Sequence, residues 1–205
     1  MNARDGGLVR RLSHRLSLRW AADKIGRFEA LLPRAEAGRS RPAILDIGCG
    51  RGVIASELRR RGYAVTAVDI QDRCTASDIV PVIANATDLP FDDAQFDVGL
   101  LLTVLHHTPD PDRVLREAAR VANRLIVIED TFHSPGKRRL VELADSIANL
   151  EFRGHPHRNR TDAQWRRTFA SLGLQIAAER TDRVFAFFEQ RTYAVDTAPR
   201  IVHSA

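Results

Sequence analysis

Three glycines at alternate positions, Gly48, Gly50 and Gly52, separate an apolar run, Ala43-Ile44-Leu45-Asp46-Ile47, from a helix-like segment that opens near Val53. Glycines between a strand and a helix let the backbone come close to a ligand at the carboxyl end of a sheet. A dinucleotide fingerprint needs Gly-x-Gly-x-x-Gly, and here Val53 stands at its third glycine position. A carboxylate, Asp46, lies two residues before the first glycine. It would repel a pyrophosphate but could hold a cationic amino-acid end, directly or through water. Asp69 stands 21 residues after Gly48, at the end of a second β-rich run, Ala64-Val65-Thr66-Ala67-Val68. An acidic side chain there can accept the protons of both ribose hydroxyls. Both carboxylates also have plainer roles open to them, Asp46 at a helix N-terminus and Asp69 as a turn cap. The functional reading is a ligand with a ribose, a positive charge and no phosphate.

S-adenosylmethionine answers that description, and the chain resembles the class I S-adenosylmethionine-dependent methyltransferases. The glycine segment and Asp69 look like that family's first motif and its acidic second-strand position. Asn85-Ala86-Thr87-Asp88-Leu89-Pro90-Phe91 with Gln95-Phe96-Asp97-Val98 looks like its "D-A-x-x-L-P-F … S-F-D-x-V" segment. Thr103-Val104-Leu105-His106-His107, Asp110-Pro111 and Leu115-Arg116-Glu117-Ala118-Ala119-Arg120-Val121 look like its "V-L-H-H … D-P … L-R-E-x-x-R-V" segment. The likeness covers roughly residues 43–130 and is greatest to the subgroup with the ubiquinone/menaquinone C-methyltransferases. It implies a cofactor site in which Asp46, Gly48, Cys49 and Gly50 line the methionine end. Asp69 and Ile70 would hold the ribose, Asn85 and Ala86 the adenine, and Thr103 and Leu105 the fourth-strand side. Two departures stand out. Asn85 replaces the usual Asp, with an amide oxygen to accept from the adenine amino group and an NH2 to donate to a ring nitrogen. A "K-P-G-G" loop before the fifth strand is shortened to Ala122-Asn123, a change in a surface turn.

Methyl transfer from a sulfonium is an in-line displacement, driven by alignment and exclusion of water without an enzyme nucleophile. A base is needed only where the acceptor loses a proton. Candidates are His107, at the active-site mouth or as a structural histidine, and His155 or His157 in a loop; His106 reads as structural or solvated. Residues 130–160 read as an acceptor lid holding Asp130, His133, Asp145, Asn149, His155 and His157. Arg158 or Arg160 would meet an acidic substrate group, and Trp20 and Phe28 of an N-terminal helix would be lid contacts. No standard metal motif is present, and no metal is expected.

The elements that position these residues follow from periodicity. Residues 8–32 read as a helix, with Leu8, Leu12, Leu16 and Trp20 in one row and Ile25, Phe28 and Leu31 continuing the stripe. Strands are expected at 43–47, 64–69, 82–84, 96–102 and 124–129, with helices at 53–61 and 111–121 between them. Alternation at this spacing implies an α/β fold with a doubly wound, mostly parallel sheet. Thr161 and Gln164 predict a capping box opening a helix that ends near Gly173. Residues 174–179 and 184–190 predict an antiparallel hairpin turning at Thr181-Asp182-Arg183. The domain plan is a basic leader, 1–41, one cofactor-binding domain, 42–195, and a tail, 196–205, frayed after Asp196.

The 205 residues, 44% apolar and 28% charged, exclude a disordered, collagen-like or disulfide-rich chain. No apolar run approaches the ~20 residues of a membrane span, and Arg10, Arg11, Arg15 and Arg19 interrupt any secretory signal. A cytoplasmic protein is expected, with Cys49 and Cys74 reduced. The net charge of +5 is uneven. Residues 1–41 hold ten Lys/Arg and four Asp/Glu, a net +6, so the other 164 carry −1. Only Lys24 and Lys137 are lysines, which a coding bias toward arginine would also produce. A basic arm otherwise suits anionic lipid, and hence a peripheral membrane contact, or an acidic partner. The leading expectation is a small-molecule methyltransferase. The alternatives are a nucleic-acid methyltransferase, disfavoured by the neutral body, and a non-catalytic cofactor-binding protein.

Overall fold

A buried parallel strand needs apolar side chains on both faces, and residues 43–47 supply them. In the computed structural model, which describes residues 17–33, 41–131, 160–185 and 188–197, Ala43–Ile47 forms β1 near the middle of a seven-stranded sheet. The other strands are β2 (Ala64–Asp69), β3 (Val82–Ile83), β4 (Phe96–Leu102), β5 (Ala122–Thr131), β6 (Gln175–Phe185) and β7 (Phe188–Asp196). Their order is β3-β2-β1-β4-β5-β7-β6. The first five are parallel, while β7 runs antiparallel to β5 and β6 to β7. Chain order reverses between β1 and β4, and the crevice beyond their carboxyl ends is where such sheets bind ligands.

Helices cover both faces. Leu45, Ile47, Leu101, Leu125 and Val127 pack with α3 (Pro111–Val121) and α4 (Asp162–Ser171). Ile44, Val98, Leu100, Ile126 and Ile128 pack with α2 (Val53–Arg60) and α1 (residues 17–28). Asp110 caps α3 by accepting from the Arg113 N–H at 3.0 Å, with Pro111 in the first turn. Thr161 and Gln164 exchange the two bonds of the expected capping box, 2.8 and 3.3 Å. Gly62, just past α2, has φ +86°, as a left-handed helix end requires.

Four expectations are corrected. The hairpin does not turn at Thr181-Asp182-Arg183. Those residues stay in β6, opposite Arg191, Gln190 and Glu189, and the chain reverses between Phe185 and Phe188. β7 is pinned to β5 from Arg124↔Asp196 to Thr131↔Glu189, and β6 must match that length. Second, Ala122 and Asn123 are not a surface turn: α3 passes directly into β5, and Ala122 is buried opposite Phe96. Third, the chain stays anchored one residue past Asp196, because the Thr197 N–H donates to the Asn123 carbonyl at 3.2 Å. Fourth, the buried row of α1 is Ala21, Lys24, Ile25 and Phe28, continuing to Leu32, so Phe28 is core instead of a lid contact, while Trp20 beside that row is 53% exposed. Residues 8–16 lie outside the described residues.

Candidate active site

The glycine turn is built by hydrogen bonds to the neighbouring strand. The N–H groups of Gly48 and Cys49 both donate to the Val68 carbonyl, at 2.8 and 3.1 Å. Gly48 has φ +73°, and a Cβ there would lie 2.7 Å from a Val104 methyl, so the two loops above β1 and β4 touch at this point. Gly50, φ +52°, faces open space, the free volume a ligand backbone contact needs. Gly48→Ala is therefore expected to cost ~1–2 kcal/mol from the left-handed conformation alone, with the Val104 contact in addition. Chemical denaturation checks this, and adding Val104→Ala should recover only the steric part.

Asp69 closes the turn from the β2 side. Its Oδ2 accepts the Gly50 N–H at 2.8 Å and its Oδ1 the Gln71 N–H at 3.2 Å. Each oxygen keeps a lone pair for a further donor. Ile70 beside it is 62% exposed. Asn85, exposed on the same rim, behaves differently from expectation. Its Oδ1 already accepts from the Thr87 N–H and hydroxyl, both at 3.0 Å, so the group left for a ligand is its NH2. Ala86 is half-buried against the core.

Asp46 is buried on the α1 face of the sheet, and its Oδ2 has no hydrogen-bond partner among the described residues. Burial pushes its carboxyl up to about 7, Lys24 opposes that rise, and Asp69 adds to it. Cys49 next to the turn is pushed up to about 12 by burial and the Asp46 and Asp69 carboxylates, so it is a thiol at neutral pH. Lys24 is buried in α1, and sequence patterning gave no hint of its place. Its ammonium donates to the Thr103 hydroxyl at 3.0 Å and lies 4.7 Å above the Trp20 ring centre. Thr103, the residue after β4, has φ +61°, rare for a β-branched residue, and its N–H donates to the Ile128 carbonyl at 2.7 Å. Asp130, at the end of β5, accepts from the Gln190 amide at 2.8 Å, and burial holds its carboxyl above the ordinary range.

The segment after β4 corrects a second site assignment. The Leu105 side chain is fully buried in the core and cannot line the crevice; its N–H donates to Glu129 Oε1 at 2.8 Å. His106 is buried, with Nδ1 2.6 Å from Glu129 Oε2, a structural placement. His107 is half-buried, its ring centre 4.0 Å from that of His106. An acidic residue at the end of the apolar run 125–128 was the only sequence signal for Glu129.

Arg160 has structural partners. Its Nη1 bonds Asp112 at 2.7 Å and Thr168 at 2.6 Å, and the guanidinium lies 4.9 Å over Trp165, so it braces α3 against α4. His133, Asp145, Asn149, His155, His157 and Arg158 lie outside the described residues. Among the described residues no three His, Cys, Asp or Glu side chains are grouped to hold a metal ion, and no helix is long and apolar enough to cross a membrane.

Residues 45–124 match the family model described as "Methyltransferase domain". The chain is similar to 27-O-demethylrifamycin SV methyltransferase of Amycolatopsis mediterranei, 35% identical over 46% of this chain and 38% of that protein. It is also similar to ubiquinone biosynthesis O-methyltransferase of Nitrosomonas europaea, 29% identical over 41% of this chain and 40% of that one. The chain thus spans less than half the length of the curated relatives it matches. Among solved structures, geranyl diphosphate C-methyltransferase from Streptomyces coelicolor A3(2) superposes with a TM-score of 0.64 at 16% identity, over 90% of this chain and 80% of that one. Magnesium protoporphyrin IX methyltransferase from Synechocystis PCC 6803 gives 0.61 at 17% identity, over 87% and 83%. The family model opens at the strand that leads into the glycine turn, so residues 45–124 are similar to a methyltransferase domain, and the fold is that of solved methyltransferase structures.

Proposed function

We propose that the protein transfers the methyl group of S-adenosylmethionine to a small-molecule acceptor. The single observation carrying this assignment is the buried Asp46 oxygen that meets no donor among the described residues, on the strand that leads into the turn where Gly50 faces open space. A buried carboxylate oxygen without a donor is costly, and a cationic ligand end arriving there offsets the cost. Asp69, with one bond already fixing each oxygen, is preset for two ribose hydroxyls. The Asn85 NH2 would donate to an adenine ring nitrogen, and the Gly48–Gly50 backbone would let the amino-acid end approach closely.

When bound, S-adenosylmethionine supplies an electrophilic methyl group on a sulfonium. The chain's own contribution is alignment and a dry crevice between the Gly48 turn and Thr103. The names of both relatives, as O-methyltransferases, favour a hydroxyl acceptor. Such an acceptor loses a proton, and His107, His155 and His157 are the candidate bases. The exposed Trp20 ring offers an apolar face at the mouth.

Calorimetry with S-adenosylmethionine and S-adenosylhomocysteine tests the donor assignment, and saturable heat is expected from both. Transfer of labelled methyl to a panel of phenol, quinone, amine and carboxylate acceptors tests the rest. No heat and no thermal shift with either nucleoside would remove the proposal.

A further inference from the structure

Lys24 is the buried charge that the methyl-transfer chemistry above does not use. Around its ammonium stand Asp46 on β1 and Glu129 and Asp130 on β5, with Arg27 on its own helix; Asp69 faces Asp46 from β2. The carboxylates differ in how they are satisfied. Glu129 holds the Leu105 N–H and His106, and Asp130 holds the Gln190 amide, whose oxygen in turn accepts from Arg27 at 2.6 Å. Among the described residues, Asp46 alone of the three keeps a buried oxygen without a partner. A buried carboxylate in that condition takes up a proton unless a cation is close by.

The ammonium is held where it can act. Its bond to the Thr103 hydroxyl is continued by that hydroxyl's own donation to the Leu102 carbonyl at 2.5 Å. Thr103 is in a left-handed conformation, and such strain survives only where neighbours over-determine it. The Trp20 ring covers the other side. Helix α1 therefore delivers one fixed charge to the carboxyl ends of β1, β4 and β5.

We propose that Lys24 is a positioning residue: its ammonium, fixed on the Thr103 hydroxyl, keeps Asp46 ionised and so able to receive the cationic amino-acid end of the methyl donor. This rests on the methyl-donor assignment made above. Burial brings Asp46 up to about 7 and Lys24 down to about 8, so both titrate close to neutral pH. The sign follows directly. Removing the ammonium raises the Asp46 value further, so a larger share of the protein is protonated at Asp46 and cannot bind at pH 7. Raising the pH restores the carboxylate in every variant.

The test is the affinity for S-adenosylhomocysteine from pH 6 to pH 9, by calorimetry on the wild-type chain, Lys24→Met, Lys24→Gln and Lys24→Arg. Ratios are taken at each pH, so the ligand's own titration cancels. The wild type should weaken below about pH 7. In Lys24→Met the midpoint should move up by about one unit, which lowers affinity at pH 7 about fivefold, as the binding-competent fraction dictates. By pH 9 it should match the wild type. Lys24→Gln keeps a donor for Thr103 without the charge and should behave as Lys24→Met; Lys24→Arg should keep the wild-type midpoint. A loss of equal size at pH 6.5 and pH 9 would place Lys24 in direct contact with the ligand or in the fold, and overturns the proposal, as does an unmoved midpoint. Should neither neutral variant fold, proton release decides: the wild type should release about half a proton on binding at pH 7, in buffers of different ionisation enthalpy, and none would overturn it. A wild type that binds at no pH overturns the methyl-donor assignment itself.

Discussion

Asp69→Ala is expected to weaken S-adenosylhomocysteine binding by about 100-fold or more. A hydrogen bond from a hydroxyl to a carboxylate contributes ~1.5–3 kcal/mol, and two ribose hydroxyls converge on this side chain in the proposed complex. Each ~1.4 kcal/mol is tenfold in affinity. The change also removes the acceptor of the Gly50 N–H and loosens the turn that faces the ligand. Asp69→Asn keeps an acceptor for Gly50 and should lose less. Calorimetry at pH 8, where Asp46 is mostly ionised, isolates the ribose side. An alanine variant binding within threefold of the wild type would show that Asp69 only caps the glycine turn.

Glu129→Ala is expected to destabilise the fold by about 3 kcal/mol. Its two oxygens hold the Leu105 N–H and the His106 ring in a fully buried setting, where an abandoned donor costs ~1–3 kcal/mol. The truncated side chain also leaves a cavity. The denaturant midpoint should fall without a change in slope. Glu129→Gln retains one acceptor and should cost about a third as much. The same bonds set the 3-10 turn Leu105–His107, so the alanine variant should also lose methyl transfer more steeply than it loses stability. A loss below ~1 kcal/mol would mean that this carboxylate is replaceable by the surrounding packing.

Thr103 shows how the fold and the site share their strain. A β-branched residue with φ +61° follows β4, and its N–H, its hydroxyl and the Lys24 ammonium hold it there. Gly48 presses on Val104 one residue further on. The two loops that meet here come from Gly48 and Val104, 56 residues apart in sequence.

Local pattern determined a large part of this protein. Strands β1, β2 and β4 and helices α2 and α3 follow from apolar runs and capping residues, because those signals act over a few positions. The glycine turn and Asp69 were legible for the same reason: a tight turn and a strand-end acid have residue-type requirements that do not depend on distant neighbours. Tertiary structure decided the rest. It moved the hairpin turn past Thr181-Asp182-Arg183 because the β5 ladder fixes the length of β7. It buried Leu105, engaged Arg160 with Asp112, and turned the Asn85 oxygen to Thr87. It also placed Lys24 and Glu129 at the carboxyl edge of the sheet, where no spacing in the chain pointed. Burial changes a side chain's charge and its available bonds, and burial is a property of elements brought together from far apart.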